Sequence, residues 1–242
     1  MNDEEFRLVE QIDSDHCWFV GKRHILKALL EPLGSPDRVL DLGCGTGGAL
    51  RSLSQARLCV GADRSSLALR ISADRGVRPL VRADLAALPF SADSFDVVLL
   101  LDVIEHLPDD VGFLREARLL CARGGRMIVA VPAFQVLWSQ HDETFQHYRR
   151  YSARQLRRVI EAAGLVPERI TYTFFSTFPV ALLWRVASYR LGLGRFAPAT
   201  DFFGLPAWLN RFLIGLFRLE ARLLARTDLP LGSSVVCIAR RD

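Results

Sequence analysis

Three glycines at alternate positions follow an aspartate early in the chain. Asp41 lies near the end of an apolar, β-like run, and Gly43, Gly45 and Gly47 come directly after it. A strand that turns through glycines brings its backbone close to a ligand, because no side chain blocks the approach and glycine permits the turn. Asp41 would repel a pyrophosphate and attract a cationic ammonium group. The spacing therefore predicts a ligand site with a positive charge near Asp41.

Two further aspartates lie at the ends of the next β-like runs. Asp63 follows residues 58–62, at about the distance from the glycine loop where an acid binds ribose hydroxyls. Asp84 ends the third run and precedes Leu85. A single aspartate after a strand often serves as a helix N-cap. Three of them at successive strand ends, beside a glycine loop, favour an adenosine-type ligand.

The glycine loop alone leaves two classes of enzyme open. Gly43, Gly45 and Gly48 also satisfy the fingerprint of nicotinamide-dependent oxidoreductases. That class is the first alternative, and Asp41 and Asp84 argue against it. A non-catalytic module that keeps the fold and binds a cofactor or a membrane is the second alternative. The intact loop and acids argue against loss of cofactor binding.

β-like and helical runs alternate along much of the chain, which predicts a doubly wound parallel sheet with ligands at the carboxyl ends of its strands. The predicted strands cover residues 39–42, 58–62, 79–83, 95–101, 126–131 and 235–239. The predicted helices cover residues 3–12, 16–31, 47–55, 65–75, 109–121, 152–163 and 206–226. Residues 133–151 are polar and aromatic and predict a loop or cap over the sheet edge.

Two later motifs add to the pattern. One reads Leu101-Asp102-Val103-Ile104-Glu105-His106-Leu107, and the other reads Leu119-Leu120-x-x-x-Gly124-Gly125-x-Met127. With the glycine loop and the acids, they resemble the bacterial class I S-adenosylmethionine-dependent methyltransferases over about residues 38–132. The branch they resemble includes ubiquinone-pathway O-methyltransferases. The resemblance implies an α/β, Rossmann-like, doubly wound sheet of seven strands with the last one antiparallel, N-terminal helices and a helical cap or insertion.

The resemblance also implies a role for each matching position. The glycines would line the methionine moiety of S-adenosylmethionine, with Asp41 near its amino group and Asp63 on its ribose. Asp84 and the Leu85 amide would meet the adenine, and Leu101 and Asp102 would lie beside the sulfonium. Arg23, on a helix before the sheet, would bind the methionine carboxylate, or would lie in solvent while the helix packs its aromatics on the sheet. The predicted cofactor-binding residues are Arg23, Asp41, Gly43, Gly45, Gly47, Asp63, Arg64, Asp84, Leu85, Leu101 and Asp102.

Methyl transfer to a hydroxyl usually needs a general base, and histidine suits that role near neutral pH. His106 follows the fourth strand, and His141, beside Asp142, and His147 lie in the segment after the fifth. We predict that one of these histidines is the base. The same segment offers contacts to an anionic or aromatic acceptor. These predicted acceptor-binding residues are Trp138, Tyr148, Arg149 and Arg150. The alternative is a cap held by its own polar contacts, with the arginines in solvent.

A metal ion is a further interpretation of the same residues. Asp102, Glu105 and His106 resemble the Glu-x-x-Glu-His ligand set of some ubiquinone-pathway and small-RNA 2′-O-methyltransferases, and His141 or His147 would complete it. Such ligands suit magnesium, manganese or zinc. The pattern is widespread in metal-free relatives and its first acid here is aspartate, so we expect no metal.

The C-terminal third is unusually apolar. Residues 170–184 carry no charge, but they are too few for a confident membrane span. Residues 206–226 predict an amphipathic helix with a separate row of arginines. We expect it to pack over the sheet edge. The alternatives are a helix that lies on a membrane surface and the wall of an apolar acceptor pocket.

Composition limits the other functions. The net charge of +4 comes without long runs of like charge, so we expect no nucleic-acid partner. Five scattered cysteines and an acidic N-terminus without an apolar run favour the cytoplasm, with membrane association as an alternative. We expect one methyltransferase domain over residues 1–242. Its parts are a helical lid at 1–33, a cofactor-binding core at 34–132, and an acceptor-side cap and insertion at 133–151 and 170–230. The expected activity is methyl transfer to oxygen of a small-molecule or lipid-like acceptor.

Overall fold

The computed structural model describes residues 3–34, 36–53, 56–190 and 204–242. They contain a sheet of seven strands: β1 Arg38–Leu42, β2 Leu58–Asp63, β3 Leu80–Arg82, β4 Phe95–Leu101, β5 Cys121–Pro132, β6 Val166–Thr173 and β7 Ser234–Arg240. The order of the strands across the sheet is β3-β2-β1-β4-β5-β7-β6. β7 runs antiparallel to both of its neighbours, and the other neighbouring strands are parallel. The predicted doubly wound sheet with an antiparallel last strand is confirmed. The carboxyl ends of β1 to β6 therefore share one edge.

Eight α-helices lie in the described residues: α1 Asp3–Ile12, α2 Cys17–Leu30, α3 Ser66–Asp74, α4 Asp110–Ala117, α5 Gln140–Thr144, α6 Ala153–Ala162, α7 Phe178–Arg190 and α8 Ala207–Leu224. The prediction of a helix at 47–55 was wrong, because the described part of this range forms only a short 3-10 turn, Leu50–Ser52. Gly47 and Gly48 at its start favour helix poorly. The helix predicted at 109–121 ends earlier, at Ala117, and a 3-10 turn leads from it into β5.

The core forms two apolar layers, one on each face of the sheet. Side chains alternate along β4, so Val98 and Leu100 pack with α4 and α6, while Val97 and Leu99 pack with α2 and α8. Helix α8 contributes Phe217, Ala221 and Leu224 to the second layer. Among the described residues, no helix has both the length and the apolar composition needed to cross a membrane.

Strand β6 has no counterpart in the sequence-based prediction. It is an edge strand that pairs only with β7, and its register shifts between Pro167 and Arg169. Proline is tolerated at such an edge because the missing N–H is not needed by a neighbour. Pro167, Glu168 and Arg169 also interrupt the apolar pattern. The periodicity therefore gives no strand signal here, although the sheet pairing is regular on either side.

Three residues near the shared strand edge adopt left-handed backbone without being glycine. Asp102 follows β4 at φ +56°, Phe134 follows β5 at φ +54°, and Phe174 follows β6 at φ +60°. Such strained conformations persist only where surrounding contacts enforce them, and they cluster at functional sites. Three of them at one edge point to that edge as the candidate site.

Candidate functional site

The glycine loop after β1 turns sharply at the shared strand edge. Gly43, Gly45 and Gly47 all have positive φ, at +78°, +52° and +77°. A Cβ on Gly43 would lie 2.8 Å from a Val103 methyl carbon, so the close packing of the loop on the residues after β4 excludes a side chain. A Cβ on Gly45 would come no closer than 3.9 Å to any neighbour, the ring of Phe6. The middle of the loop therefore keeps open space beside its backbone.

Asp41 lies in β1 just before this loop, with 2% of its surface exposed. Burial, followed by the nearby charge of Asp63, raises the pKa of its carboxyl to about 7. None of the described contacts gives this carboxylate a hydrogen-bond donor. A buried acid without a donor is unfavourable in the protein alone. A cationic group bound at the loop would stabilise it.

Asp63 joins the end of β2 to the glycine loop. One carboxylate oxygen accepts from the Gly45 amide at 3.0 Å, and the other accepts from the Ser65 amide at 2.8 Å. Asp84 is exposed after β3 and accepts from the Ala86 amide at 2.9 Å. The structure thus brings Asp41, the loop and Asp63 together and places Asp84 one strand further out. The side chain of Arg64 is exposed, and Leu85 is half-buried.

The junction between α1 and α2 closes over the glycine loop. Asp13 is buried and accepts from the Thr46 hydroxyl at 2.6 Å and from the Arg75 guanidinium. Arg75 also donates to the carbonyl of Glu10 at 2.7 Å. Arg23 donates to the carbonyl of Asp13 at 2.7 Å, so it braces this junction. The N-terminal helices are therefore tied directly to the loop.

Lys22 of α2 reaches the end of β4. Its ammonium pairs with the Asp102 carboxylate and lies 5.1 Å from the centre of the Trp18 ring. Trp18 in turn stacks on Phe174 at 4.1 Å between ring centres. Leu101, the last residue of β4, is half-buried. Lys22 is not among the residues that the sequence predicted for the site. Its position one helical turn after Trp18, on a largely apolar helix, could have indicated a buried contact.

The segment after β5 is organised around Asp142. This carboxylate has no exposed surface, and Arg150 grips it with bonds of 2.7 and 3.0 Å. His147 Nδ1 lies 2.8 Å from Oδ1, the oxygen that also accepts from Arg150 Nε. Burial opposes ionisation, but the bonds from His147 and Arg150 outweigh it and hold the pKa of Asp142 well below its usual range. An ionised carboxylate only accepts, so Nδ1 of His147 is the donor in this bond.

This geometry singles out one of the three predicted histidines as the partner of Asp142 and shows where one predicted arginine lies. The neighbour of Asp142 in sequence is His141, yet the hydrogen bond joins Asp142 to His147. Arg150 was expected at an acceptor or in solvent. It is 8% exposed, and its described bonds go to Asp142 and to the Ala133 carbonyl, so it holds the cap together.

Other predicted acceptor contacts lie nearer the surface. Tyr148 is 59% exposed, and its amide donates to the Glu105 carbonyl at 2.7 Å. Arg149 pairs with Asp110 at 3.1 Å and donates to the Pro108 carbonyl at 2.8 Å. Trp138 is half-buried just before α5. Tyr148 therefore links the cap to the turn after β4.

Glu105, His106 and His147 form a close cluster between the cap and β4. Each offers one possible ligand atom, and these atoms all lie within 4.8 Å of one another. Both carboxylate oxygens of Glu105 are buried without a hydrogen-bond partner. Burial and then Asp102 raise its pKa, while burial and then His147 lower the pKa of His106 to about 4. The donor set would suit a divalent cation.

Known proteins are similar to this chain in sequence. A family model described as a methyltransferase domain matches residues 16–169. The chain belongs to this methyltransferase-domain family. A probable S-adenosylmethionine-dependent methyltransferase of Mycobacterium tuberculosis strain H37Rv is 31% identical over 165 residues, 66% of this chain and 60% of that protein. A demethylmenaquinone methyltransferase of Mycobacterium sp. strain KMS is 32% identical over 165 residues, 68% of this chain and 67% of that protein.

Solved structures of methyltransferases share the fold. A SAM-dependent methyltransferase from Thermotoga maritima aligns with a TM-score of 0.61 at 17% identity, covering 99% of this chain and 96% of that one. The match with the M. tuberculosis methyltransferase spans 60% of that relative's length, less than two thirds. The cofactor of this methyltransferase domain is S-adenosylmethionine.

The residues at the strand edge fit that cofactor. Its amino group would find the buried Asp41 carboxylate, which has no described donor of its own. The space beside Gly45 leaves the loop backbone accessible. Asp63 is half-buried at the end of β2, where a pair of ribose hydroxyls would reach it. The fold thus supplies a charge partner, an open backbone and a second acid at one edge of the sheet.

Proposed function

We propose that this chain transfers a methyl group from S-adenosylmethionine to a ring hydroxyl of a small, lipid-like acceptor. The observation that carries the proposal is the Asp142–His147 pair, a carboxylate and an imidazole 2.8 Å apart beside the end of β4. When bound, S-adenosylmethionine supplies an electrophilic methyl group on a positively charged sulfur that is already a good leaving group. The protein must then bind both partners, exclude water and remove one proton.

On the cofactor side we assign Asp41 to the amino group, Asp63 to the ribose and Asp84 to the adenine. The loop glycines offer backbone at close range. Arg23 remains our candidate for the carboxylate, because its guanidinium lies 3.8 Å from the position of a Cβ on Gly48. These groups bind and orient, and none of them exchanges a proton with the acceptor.

On the acceptor side we assign His147 as the general base. Asp142 accepts a hydrogen bond from Nδ1–H of His147 and holds the ring in one tautomer, so Nε2 accepts the proton of the acceptor hydroxyl. Arg150 keeps Asp142 ionised and in place. His106 stays neutral at neutral pH because its pKa is about 4.

Aromatic side chains near the same edge support a flat, apolar acceptor. Phe134 stacks on Tyr172 at 4.9 Å and lies 5.6 Å from Phe178, between ring centres. Trp18 and Phe174 form a second stack beside Lys22. Such rings favour aromatic ligands. A mycobacterial relative is named for demethylmenaquinone, which is in keeping with a quinone-like acceptor.

The experiment is a transfer assay with S-adenosylmethionine labelled in the methyl group. The acceptors are reduced demethylmenaquinone, a simple catechol and a primary amine of similar size. We expect label in the two hydroxylated rings and none in the amine, with Asp63→Ala as the cofactor-deficient control. Deprotonating a ring hydroxyl activates its oxygen and also adjacent ring carbons, so the product must be identified. Label on carbon alone would overturn the oxygen assignment, and label in the amine alone would overturn the base.

A further inference from the structure

Helix α8 carries a second apolar surface that faces away from the core. Its core side is formed by Phe217, Ala221 and Leu224. The opposite side has four large apolar side chains that are 68, 62, 52 and 49% exposed: Trp208, Phe212, Leu219 and Leu223. Their spacing of four, seven and four residues puts them in one line along the helix. We call this line the α8 apolar stripe.

A row of arginines borders the α8 apolar stripe. Arg211, Arg218, Arg222 and Arg226 are all exposed and lie along the adjacent side of the helix and its end. Glu220, the acid in α8, is 4% exposed and accepts from the amides of Phe175 and Ser176 at 3.1 Å. The outward surface of α8 is therefore apolar and basic, without a carboxylate to balance the arginines.

Helix α7 exposes a similar apolar surface. Val180, Leu183 and Trp184 are 71, 71 and 59% exposed and share one side of the helix. The sequence of α7 contains no acid. The carboxylate of Glu220 bonds the residues just before α7, so α8 holds the start of α7 directly. Large apolar groups concentrated on two linked helices are unusual on a monomeric surface.

The basic surface continues from α8 onto α2. Arg218 donates to Nε2 of His24 at 3.0 Å. His24 lines a cleft of roughly 370 Å³ together with Lys27 and Arg51. Burial and then the positive charges of Arg218, Arg23 and Lys27 lower the pKa of His24. Asp13 also lines this cleft, but its carboxylate already accepts a hydrogen bond from the Thr46 hydroxyl and pairs with the Arg75 guanidinium. Cations are thus crowded on this face.

We propose that the outward side of α8 docks the protein onto an anionic lipid surface, with the α8 apolar stripe among the acyl chains and the bordering arginines at the headgroups. Lipid binding of this kind adds burial of an apolar helix face to attraction between arginine and anionic headgroups. A second copy of the chain fits less well, because a two-fold contact through α8 would bring two arginine rows together. The proposal does not depend on methyl transfer.

The test is co-sedimentation of the full chain with vesicles of phosphatidylcholine, with and without phosphatidylglycerol. We expect binding to the anionic vesicles and at least about tenfold weaker binding to the neutral ones. Arg211→Glu/Arg222→Glu should weaken anionic binding by at least about tenfold. Trp208→Ser/Phe212→Ser should also weaken it, since it removes apolar contact. The matched control is Arg154→Glu/Arg158→Glu, the same charge change on the exposed side of α6.

A second readout separates lipid insertion from loose electrostatic attraction. Brominated lipid should quench the tryptophan fluorescence of the wild-type chain, and the quenching should fall in Trp208→Phe. Equal binding to both vesicle types, or an equal loss in the α6 control, would overturn the proposal. So would an absence of vesicle binding with self-association that Phe212→Ser abolishes, because the stripe would then be a contact between copies.

Discussion

The two halves of the proposed site are built in different ways. The proposed cofactor half consists of backbone and acids at the ends of β1 and β2, where Gly45 donates directly to Asp63. The proposed acceptor half consists of side chains in residues 139–150 that hold one another, with Asp142 at the centre of bonds from Ser139, His147 and Arg150. The first half is fixed by strands of the sheet. The second is fixed by a buried ion pair.

Because the two halves are held separately, we expect substitutions in each half to change different measured quantities. Changes at the strand ends should alter cofactor affinity and leave proton transfer intact. Changes around Asp142 should alter the rate and the stability of the cap while the cofactor still binds. Tyr148, whose amide donates to the Glu105 carbonyl, connects the cap to the turn after β4.

Removing the base should have the largest effect. We expect His147→Ala to lower kcat by about 100- to 1,000-fold, the usual range for loss of a general base, with cofactor affinity changed less than about threefold. Single-turnover methyl transfer and calorimetry with S-adenosylhomocysteine check the two parts. His141→Ala, a change of the same kind in the same cap, is the control and should keep most of the rate. An equal loss of rate in both variants would remove His147 from its assigned role.

Asp63→Ala should act on the other half. Two hydrogen bonds to a charged acid contribute about 3 kcal/mol or more in total, so we expect S-adenosylhomocysteine to bind about 100-fold more weakly. Asp74→Ala, an exposed acid at the end of α3, is the matched control and should bind like the wild type. Unchanged affinity in Asp63→Ala would place the cofactor elsewhere.

We expect the Asp41 carboxylate to lower the free energy of unfolding of the empty protein and to strengthen cofactor binding. Burial and then Asp63 raise its folded pKa to about 7, so the folded chain holds this proton more tightly than the unfolded chain. The free energy of unfolding should then fall as pH rises from about 4 to about 7. We expect Asp41→Asn to remove that slope and to stabilise the empty protein at pH 8 by about 2 kcal/mol.

The measurement for Asp41→Asn is denaturant unfolding across that pH range, with and without S-adenosylhomocysteine. The ligand should stabilise the wild type more than the variant, since the variant lacks the negative partner of the amino group. A variant less stable than the wild type at pH 8, with cofactor affinity unchanged, would show that the carboxylate is structural.

The smallest effect should come from Glu105→Gln. Burial and then Asp102 raise the pKa of this acid, and a neutral amide of the same shape replaces a neutral carboxylic acid. We expect kcat to change by less than about threefold. The melting temperature should also change little. Activity should persist in a chelator. Loss of activity with EDTA, restored by one divalent metal in the wild type and not in the variant, would make this cluster a metal site instead.

Local motifs were enough to predict which residues meet at the ends of β1 and β2. The strand at 95–101 was predicted with the bounds that the structure has, and the glycine loop with Asp41 and Asp63 lies together at one edge. These features depend on residues that are neighbours in sequence or on the ends of adjacent parallel strands. Alternation of strands and helices therefore places them before any side-chain contact is known.

Several contacts around the site join residues that are distant in sequence. Lys22 meets Asp102 across 80 positions and Asp13 meets Arg75 across 62, and no local pattern specifies such pairs. Within the cap, no local pattern distinguishes His147, which bonds to Asp142, from His141, which is the neighbour of Asp142 in sequence. β6 was missed for a related reason, because its pairing with β7 forms across an interrupted apolar pattern.

Calorimetric titration with S-adenosylhomocysteine, compared with NAD, decides whether the glycine loop and Asp63 bind S-adenosylmethionine. We expect S-adenosylhomocysteine to bind in a one-to-one complex, Asp63→Ala to weaken this binding about 100-fold, and NAD to give no signal. Tight binding of NAD without any binding of S-adenosylhomocysteine would contradict this assignment.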